Sequence, residues 1–155
     1  MAVKSKERKR KIVLASGVFD LLHLGHVRFL EAAKKAGGPN AELVVIIARD
    51  STVQERKREK PIMPENQRCA LVESLKVVDC AILGFEDFDM GKVIGKIKPD
   101  FIAVGYDQEG IEKTLREYIE ETGSKIRIIQ IGRFEDDELN SSSKIKQKII
   151  EDFNR

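Results

Sequence analysis

Five short apolar runs recur along the chain, and they constrain its fold more than any other feature. They are Ile12–Gly17, Leu43–Ala48, Cys80–Leu83, Phe101–Val104 and Ile126–Ile131. Each is four to six residues long, rich in β-branched residues and bounded by Gly, Asp or Pro, as strands are. The runs are nearly continuous rather than alternating, which predicts a parallel sheet covered on both faces. Helical periods lie between them. Val27, Leu30 and Ala33 step by three before Gly37-Gly38-Pro39. Leu71, Leu75 and Val78 follow Pro64, which suits a first helical turn. Met90, Val93, Ile94 and Ile97 precede Pro99, and Ile111, Leu115, Tyr118 and Ile119 precede Gly123. Ile145, Ile149 and Phe153 follow Asn140-Ser141-Ser142, a capping cluster.

The alternation reads βαβαβαβαβα. It predicts a single Rossmann-like, doubly wound α/β domain with five parallel strands and helices on both faces. Asp50–Lys60 is the one polar stretch without a clear period, and it is expected to be a loop. Right-handed crossovers bring all strand C-termini to one edge, where ligands bind in such folds. The functional loops should therefore be 17–25, 49–64, 84–89, 105–110 and 132–143.

At 155 residues the chain suits one domain, and 41% hydrophobic residues suffice for a core. No apolar run approaches the roughly 20 residues that span a bilayer, and no apolar segment follows the basic start, so neither membrane nor secretory leader is expected. Residues 1–11 carry six basic groups against Glu7, a balance of +5, so with a total of +2 the remainder sums to −3. Residues 1–10 read as a basic tail and 11–155 as the folded domain. Because the basic groups are not spread over the body, the tail reads as solvated and nucleic acid is not an expected partner. Cys69 and Cys80 form no CxxC pair; they read as reduced thiols of a cytoplasmic protein.

The sharpest local signal is Gly17-Val18-Phe19-Asp20-Leu21-Leu22-His23-Leu24-Gly25-His26, leaving the first strand and entering the first helix. It holds both histidines of the chain. A helix N-terminus attracts anions, a glycine lets a phosphate approach the backbone, and two imidazoles can donate to phosphate oxygens as charge develops. No third ligand stands nearby to make a zinc site. The spacing from Gly84 to Gly91-Lys92 does not match a P-loop, and no GxGxxG is present.

This segment resembles the signature of the HxGH nucleotidylyltransferase superfamily, in which G-x-F-D precedes H-x-G-H. Ser141-Ser142-Ser143-Lys144-Ile145-Lys146 is similar to the family's I-S-T-T-x-I-[KR] segment, with Asn140 in place of Ile and Ser in place of both Thr. Lys57 falls near a basic position of the cytidylyltransferases. Arg68 falls on the family's E-x-R arginine, with Asn66 and Gln67 as departures. Gly105-Tyr106-Asp107-Gln108 stands where the cytidylyltransferases have a G-[DE]-D-W-like segment, with Tyr106 and Gln108 as departures. Together with Arg49-Asp50 and residues 60–68, these stretches look most like the archaeal FAD synthases, which adenylylate FMN. The resemblance runs from Lys11 onward.

It implies transfer of AMP from ATP to the phosphate of FMN, with release of pyrophosphate. The acceptor's phosphate oxygen attacks the α-phosphate in line, without a covalent intermediate. His23 and His26 would stabilise the α-phosphate and leaving group, and Lys57 and Lys146 would neutralise phosphate charge. Gly17, Val18, Phe19, Gly105, Asp107, Ser141, Ser142 and Ser143 would bind the nucleotide, and Arg49, Asp50 and Tyr106 the acceptor. Asp20 would brace the loop, and Arg68 would be an ion-pair strut. Mg²⁺ would enter with the nucleotide, and no residue is assigned as its ligand. A homodimer is plausible by the same resemblance. The alternative within the class is a cytidylyltransferase using CTP on glycerol-3-phosphate or another small phosphorylated alcohol. A non-catalytic nucleotide-binding module is a further alternative, against which stand both histidines and Lys146.

Overall fold

The structure is a computed structural model, and it describes residues 10–86, 89–134 and 138–155. Apart from Arg10, the basic tail lies outside the described residues. Arg10 reaches Glu42 at 3.5 Å, and Lys11 reaches Asp100 at 3.8 Å, both in exposed pairs.

Five strands form one all-parallel sheet in the order β3-β2-β1-β4-β5. They are β1 (Ile12–Gly17), β2 (Glu42–Ile47), β3 (Cys80–Leu83), β4 (Phe101–Gly105) and β5 (Arg127–Ile131). Six helices connect and follow them: α1 (Leu24–Ala36), α2 (Asp50–Lys57), α3 (Glu65–Glu73), α4 (Met90–Ile97), α5 (Glu109–Thr122) and α6 (Ser142–Phe153). The chain winds outward from β1 through β2 to β3, then crosses back to lay β4 on the other side of β1. The strand order therefore reverses between β1 and β4, and a crevice opens there at the C-terminal edge.

Alternate residues of each strand feed opposite faces. Val13 and Ala15 join Leu30 and Ala33 of α1 and Val72 of α3 in one core. Leu14, Ile46 and Ile102 join Val93 and Ile94 of α4 and Leu115 of α5 in the other. Burial on both faces explains why the strand runs are continuous in apolar residues.

Two sequence expectations change. Asp50–Lys57 is helical rather than a loop. Val53 is its one buried residue, so it carries no apolar period, yet its Gln, Glu, Arg and Lys are good helix formers. Asp50 also sits in its first turn, where negative charge suits the helix dipole. The second change is at α3, which ends at Glu73. Leu75 and Val78 lie beyond it in turns, although both still pack on the first core. The apolar side of α6 is uncovered among the described residues: Ile149, Ile150 and Phe153 are exposed, Phe153 at 90%.

Candidate active site

A cleft of about 1010 Å³ lies over the C-terminal ends of β1, β2 and β4. Residues from all five loops expected to be functional line it. Its geometry starts in the turn after β1. Phe19 and Leu21 adopt left-handed backbone, with φ of 54° and 48°. Such conformations cost about 1–3 kcal/mol in ordinary residues and persist where the surroundings enforce them. The Phe19 ring folds back over Gly17, where a Cβ would lie 2.8 Å from Phe19 Cε2. Phe19 is buried and its ring is 5.2 Å from that of His26.

Asp20 holds the next layer. Its carboxylate accepts from the backbone N–H groups of Ile62 (2.7 Å), Met63 (2.9 Å) and Leu21 (3.1 Å). The carboxylate is therefore engaged as a brace between the β1 loop and the segment before α3. Arg68, fully buried in α3, completes the brace. Its guanidinium donates to the carbonyls of Met63, Val18 and Ala48 and to Asp50 Oδ1 at 2.7–2.9 Å. This is the strut that the sequence suggested, and its rigid fork suits four acceptors at once. Asp50 is turned to Arg68 and to the backbone N–H of Glu65, and it does not line the cleft.

His23 is the N-cap of α1, and His26 stands three residues on. Their rings stack with centroids 3.7 Å apart and an interplanar angle of 22°. The backbone N–H of His23 donates to His26 Nδ1 at 3.2 Å. A neutral His26 thus carries its hydrogen on Nε2. Burial pushes His26 down to about 3, the neighbouring His23 adds to the shift and Asp20 opposes it. Burial also lowers His23, whose Nδ1 has no hydrogen-bond partner among the described residues. Both imidazoles are therefore neutral donors near pH 7.

Gly25 lines the cleft, and the side where a side chain would stand is filled by the protein: a Cβ would lie 2.7 Å from the carbonyl oxygen of Asn140 and 2.9 Å from the His23 ring. Gly25 thus lets the His23 ring and the segment before α6 close onto α1.

That segment completes the phosphate side. Ser141 caps α6, its Oγ accepting from the backbone N–H of Lys144 at 3.2 Å. Ser142 Oγ donates to the carbonyl of Asp20 at 2.8 Å, tying α6 to the β1 loop. Ser143 and Lys146 line the cleft, as does Lys57 from α2. The start of α6 offers first-turn N–H groups and the positive end of the helix dipole, which suit an anion. Neither Lys57 nor Lys146 has an ion-pair partner among the described residues. Arg49 lines the cleft while its Nε donates to the Gly84 carbonyl at 2.6 Å, joining the ends of β2 and β3. Gly105, Tyr106 and Asp107 line the opposite wall, with Tyr106 and Asp107 exposed.

Two residues that depart from the family pattern hold the loops in place here. Gln108 accepts from the Gly105 N–H and donates to the Ser16 carbonyl, both at 2.9 Å, which fixes β4 against β1 at the switch point. Asn140 is buried, donates from Nδ2 to the Phe134 carbonyl at 2.6 Å and accepts from Lys144 Nζ at 2.8 Å. A buried amide so placed needs partners at both ends, and only the fold supplies them.

Two neutral imidazoles, a helix N-terminus and two lysines around one crevice suit transfer at a phosphorus centre. The cytidylyltransferase-like family model matches residues 14–148, and the chain belongs to that family of nucleotidyltransferases. Its relatives include the FAD synthase of Ferroglobus placidus, 53% identical over 90% of this chain and 88% of that one. The FAD synthase of Aciduliprofundum boonei is 48% identical over 90% of each chain. Among solved structures, a lipopolysaccharide core biosynthesis protein from Thermoplasma volcanium superposes with a TM-score of 0.72 at 46% identity, covering 81% of this chain and 98% of that one.

Proposed function

We infer that the chain is an FMN adenylyltransferase, forming FAD and pyrophosphate from ATP and FMN. One observation carries this: FAD synthases at 53% and 48% identity align over nine-tenths of the chain. The cytidylyltransferase alternative with glycerol-3-phosphate is not favoured, because these relatives bear the FAD synthase name.

The reaction is in-line displacement. An oxygen of the FMN phosphate attacks the α-phosphorus, a P–O bond forms, and the bond to the β-phosphate oxygen breaks. The attacking oxygen is already anionic, so no general base is required. Catalysis is then positioning and charge stabilisation. His23 and His26 donate to the oxygens of the α-phosphate as charge grows. The α6 N-terminus with Ser142 and Ser143 holds the β- and γ-phosphates, and Lys146 follows the leaving pyrophosphate. Lys57, from the other side, draws in the acceptor's phosphate. Arg49 and Tyr106 lie where they can contact the acceptor, and Asp107 where it can meet the nucleoside.

Mg²⁺ would enter with the nucleotide, keep most of its waters, and supply positive charge to the phosphates. Among the described helices none is long and apolar enough to cross a membrane. Both cysteines are free thiols.

The homodimer reading draws support from α6. Ile149, Ile150 and Phe153 form an uncovered apolar side, basic Lys144 and Lys148 precede them, and acidic Glu151 and Asp152 lie at the far end. Antiparallel pairing with a second copy would bury these side chains in a self-complementary two-fold interface. Sedimentation of the wild type and Phe153→Glu tests it: a monomeric wild type removes the pairing.

The function is tested by mixing protein, Mg²⁺ and FMN with ATP or CTP, and resolving flavin products by mass. FAD in the ATP tube supports the assignment. No flavin product in either tube overturns it.

A further inference from the structure

The cleft reaches both faces of the sheet, and its two lobes differ in chemistry. The lobe beside α1 and α6 carries the histidines, the serines and Lys146. The lobe beside α4 and α5 is walled by Met90, Val93, Ile111 and Thr114 over a floor that includes Ile46 and Ile102. None of these is charged, and the Thr114 hydroxyl already donates to the Gly110 carbonyl at 3.0 Å. Lys57 of α2 also lines the cleft.

We propose that the apolar lobe between α4 and α5 seats the isoalloxazine ring of the acceptor, with its dimethylbenzene edge inward. The proposal rests on the FMN reading above and assigns which lobe takes which ring. Adenine offers ring nitrogens and an amine on nearly every edge. Seated against Met90, Val93 and Ile111 it would leave those groups unpaired, which costs binding. Isoalloxazine has one edge with no hydrogen-bonding group at all, and its polar pyrimidine edge can face the open side. The ribityl phosphate then extends past Lys57 toward the histidine pair, where the α-phosphate of ATP must lie. Adenine is left the other lobe, beside α1 and α6. Apolar pockets with few polar groups suit a large planar ring, and burying it in such a lobe supplies binding without charge.

Gly110 offers a clean probe. It lines the cleft in the first turn of α5, its backbone is not left-handed, and a Cβ there meets nothing within 4 Å. Gly110→Leu adds bulk to the cleft lining from a Cβ that meets nothing and raises helix propensity, and a wild-type circular dichroism spectrum checks that the variant folds. The experiment compares wild type, Gly110→Leu and Met90→Ala in steady-state FAD synthesis with FMN and ATP varied separately. Lumiflavin, the ring without the ribityl phosphate, serves as a competitor. Expected is a tenfold or greater rise in KM for FMN in Gly110→Leu, a smaller rise in Met90→Ala, and KM for ATP within twofold in both. Lumiflavin should inhibit competitively against FMN and not against ATP. If the KM for ATP rises instead, or lumiflavin competes with ATP, the lobe belongs to adenine and the proposal falls. If both KM values stay unchanged in both variants, the lobe holds neither ring and the proposal also falls. Wild-type protein that makes no FAD at all would instead overturn the FMN reading, and this assignment with it.

Discussion

The His23 backbone N–H donates to Nδ1 of His26, while the two imidazole rings stack 3.7 Å apart. The bond orients His26 and commits its Nδ1 as an acceptor, so the neutral ring presents an N–H at Nε2. Loss of one oriented donor to a developing anionic oxygen typically costs about 10²–10³-fold in turnover. His26→Ala is expected to lower kcat by on the order of 10²-fold or more. His26→Asn, which can still accept from His23, should lose less. The measurement is kcat at saturating ATP and FMN on variants whose circular dichroism matches the wild type. Unchanged turnover in folded His26→Ala would remove the assignment.

The same pair sets a pH dependence of stability. His26 titrates at about 3 when folded and near 6.5 when unfolded. Above pH 6.5 both states hold the ring neutral and the group contributes no slope. Between 6.5 and about 3 the unfolded chain takes up a proton that the folded one refuses, so stability falls as pH falls. His23 is shifted the same way. Urea midpoints at pH 7.5 and pH 5 should therefore differ more for the wild type than for His26→Asn. Equal differences would mean that the buried imidazole is not the cause.

Arg68 gives the largest expected loss of stability. It is fully buried and serves three carbonyls and Asp50. Arg68→Met leaves those acceptors without donors, and breaking a buried pair in this way costs about 3–5 kcal/mol. Arg68→Lys should also be costly, because one ammonium cannot serve four acceptors spread around a planar fork. Thermal unfolding reads both. A melting point for Arg68→Met within two or three degrees of the wild type would contradict the strut.

These three residues also mark what could be read from the sequence. The strands were legible because burial on both faces leaves an apolar run that nothing interrupts. The histidine pair was legible because its spacing recurs in a local motif. Helix α2 was hidden because Val53 alone is buried, so no periodic stripe advertises it. The bond between Asp50 and Arg68 was hidden, because the two lie 18 residues apart in the chain and only the fold brings them together. Gln108 and Asn140 were visible as departures, but their partners, Ser16 and Phe134, could not be. The apolar lobe draws on α4 and α5, whose inward residues look like ordinary core in the sequence.

Gly25 tests how closely the active site depends on the contact between α1 and the segment before α6. A methyl group there would lie 2.7 Å from the backbone oxygen of Asn140 and 2.9 Å from Nδ1 and Cε1 of His23. A backbone oxygen cannot yield as the tip of a side chain can. Gly25→Ala must therefore push the start of α6 away, rotate His23 out of the stack, or both. The two groups proposed to hold the α-phosphate would then separate from those proposed to hold the leaving pyrophosphate. Turnover should fall by about tenfold or more, since small misplacements at a reacting centre cost up to 10²-fold. Gly95→Ala is the matched control. It lies inside α4 with nothing within 4 Å of the added methyl, so it should gain roughly 0.5–1 kcal/mol of stability and keep full activity. Crystal structures or His23 ring-proton shifts would show the displacement directly in Gly25→Ala. If Gly25→Ala keeps both wild-type turnover and the wild-type His23 shift, the closure of α6 onto α1 does not set the geometry of the site.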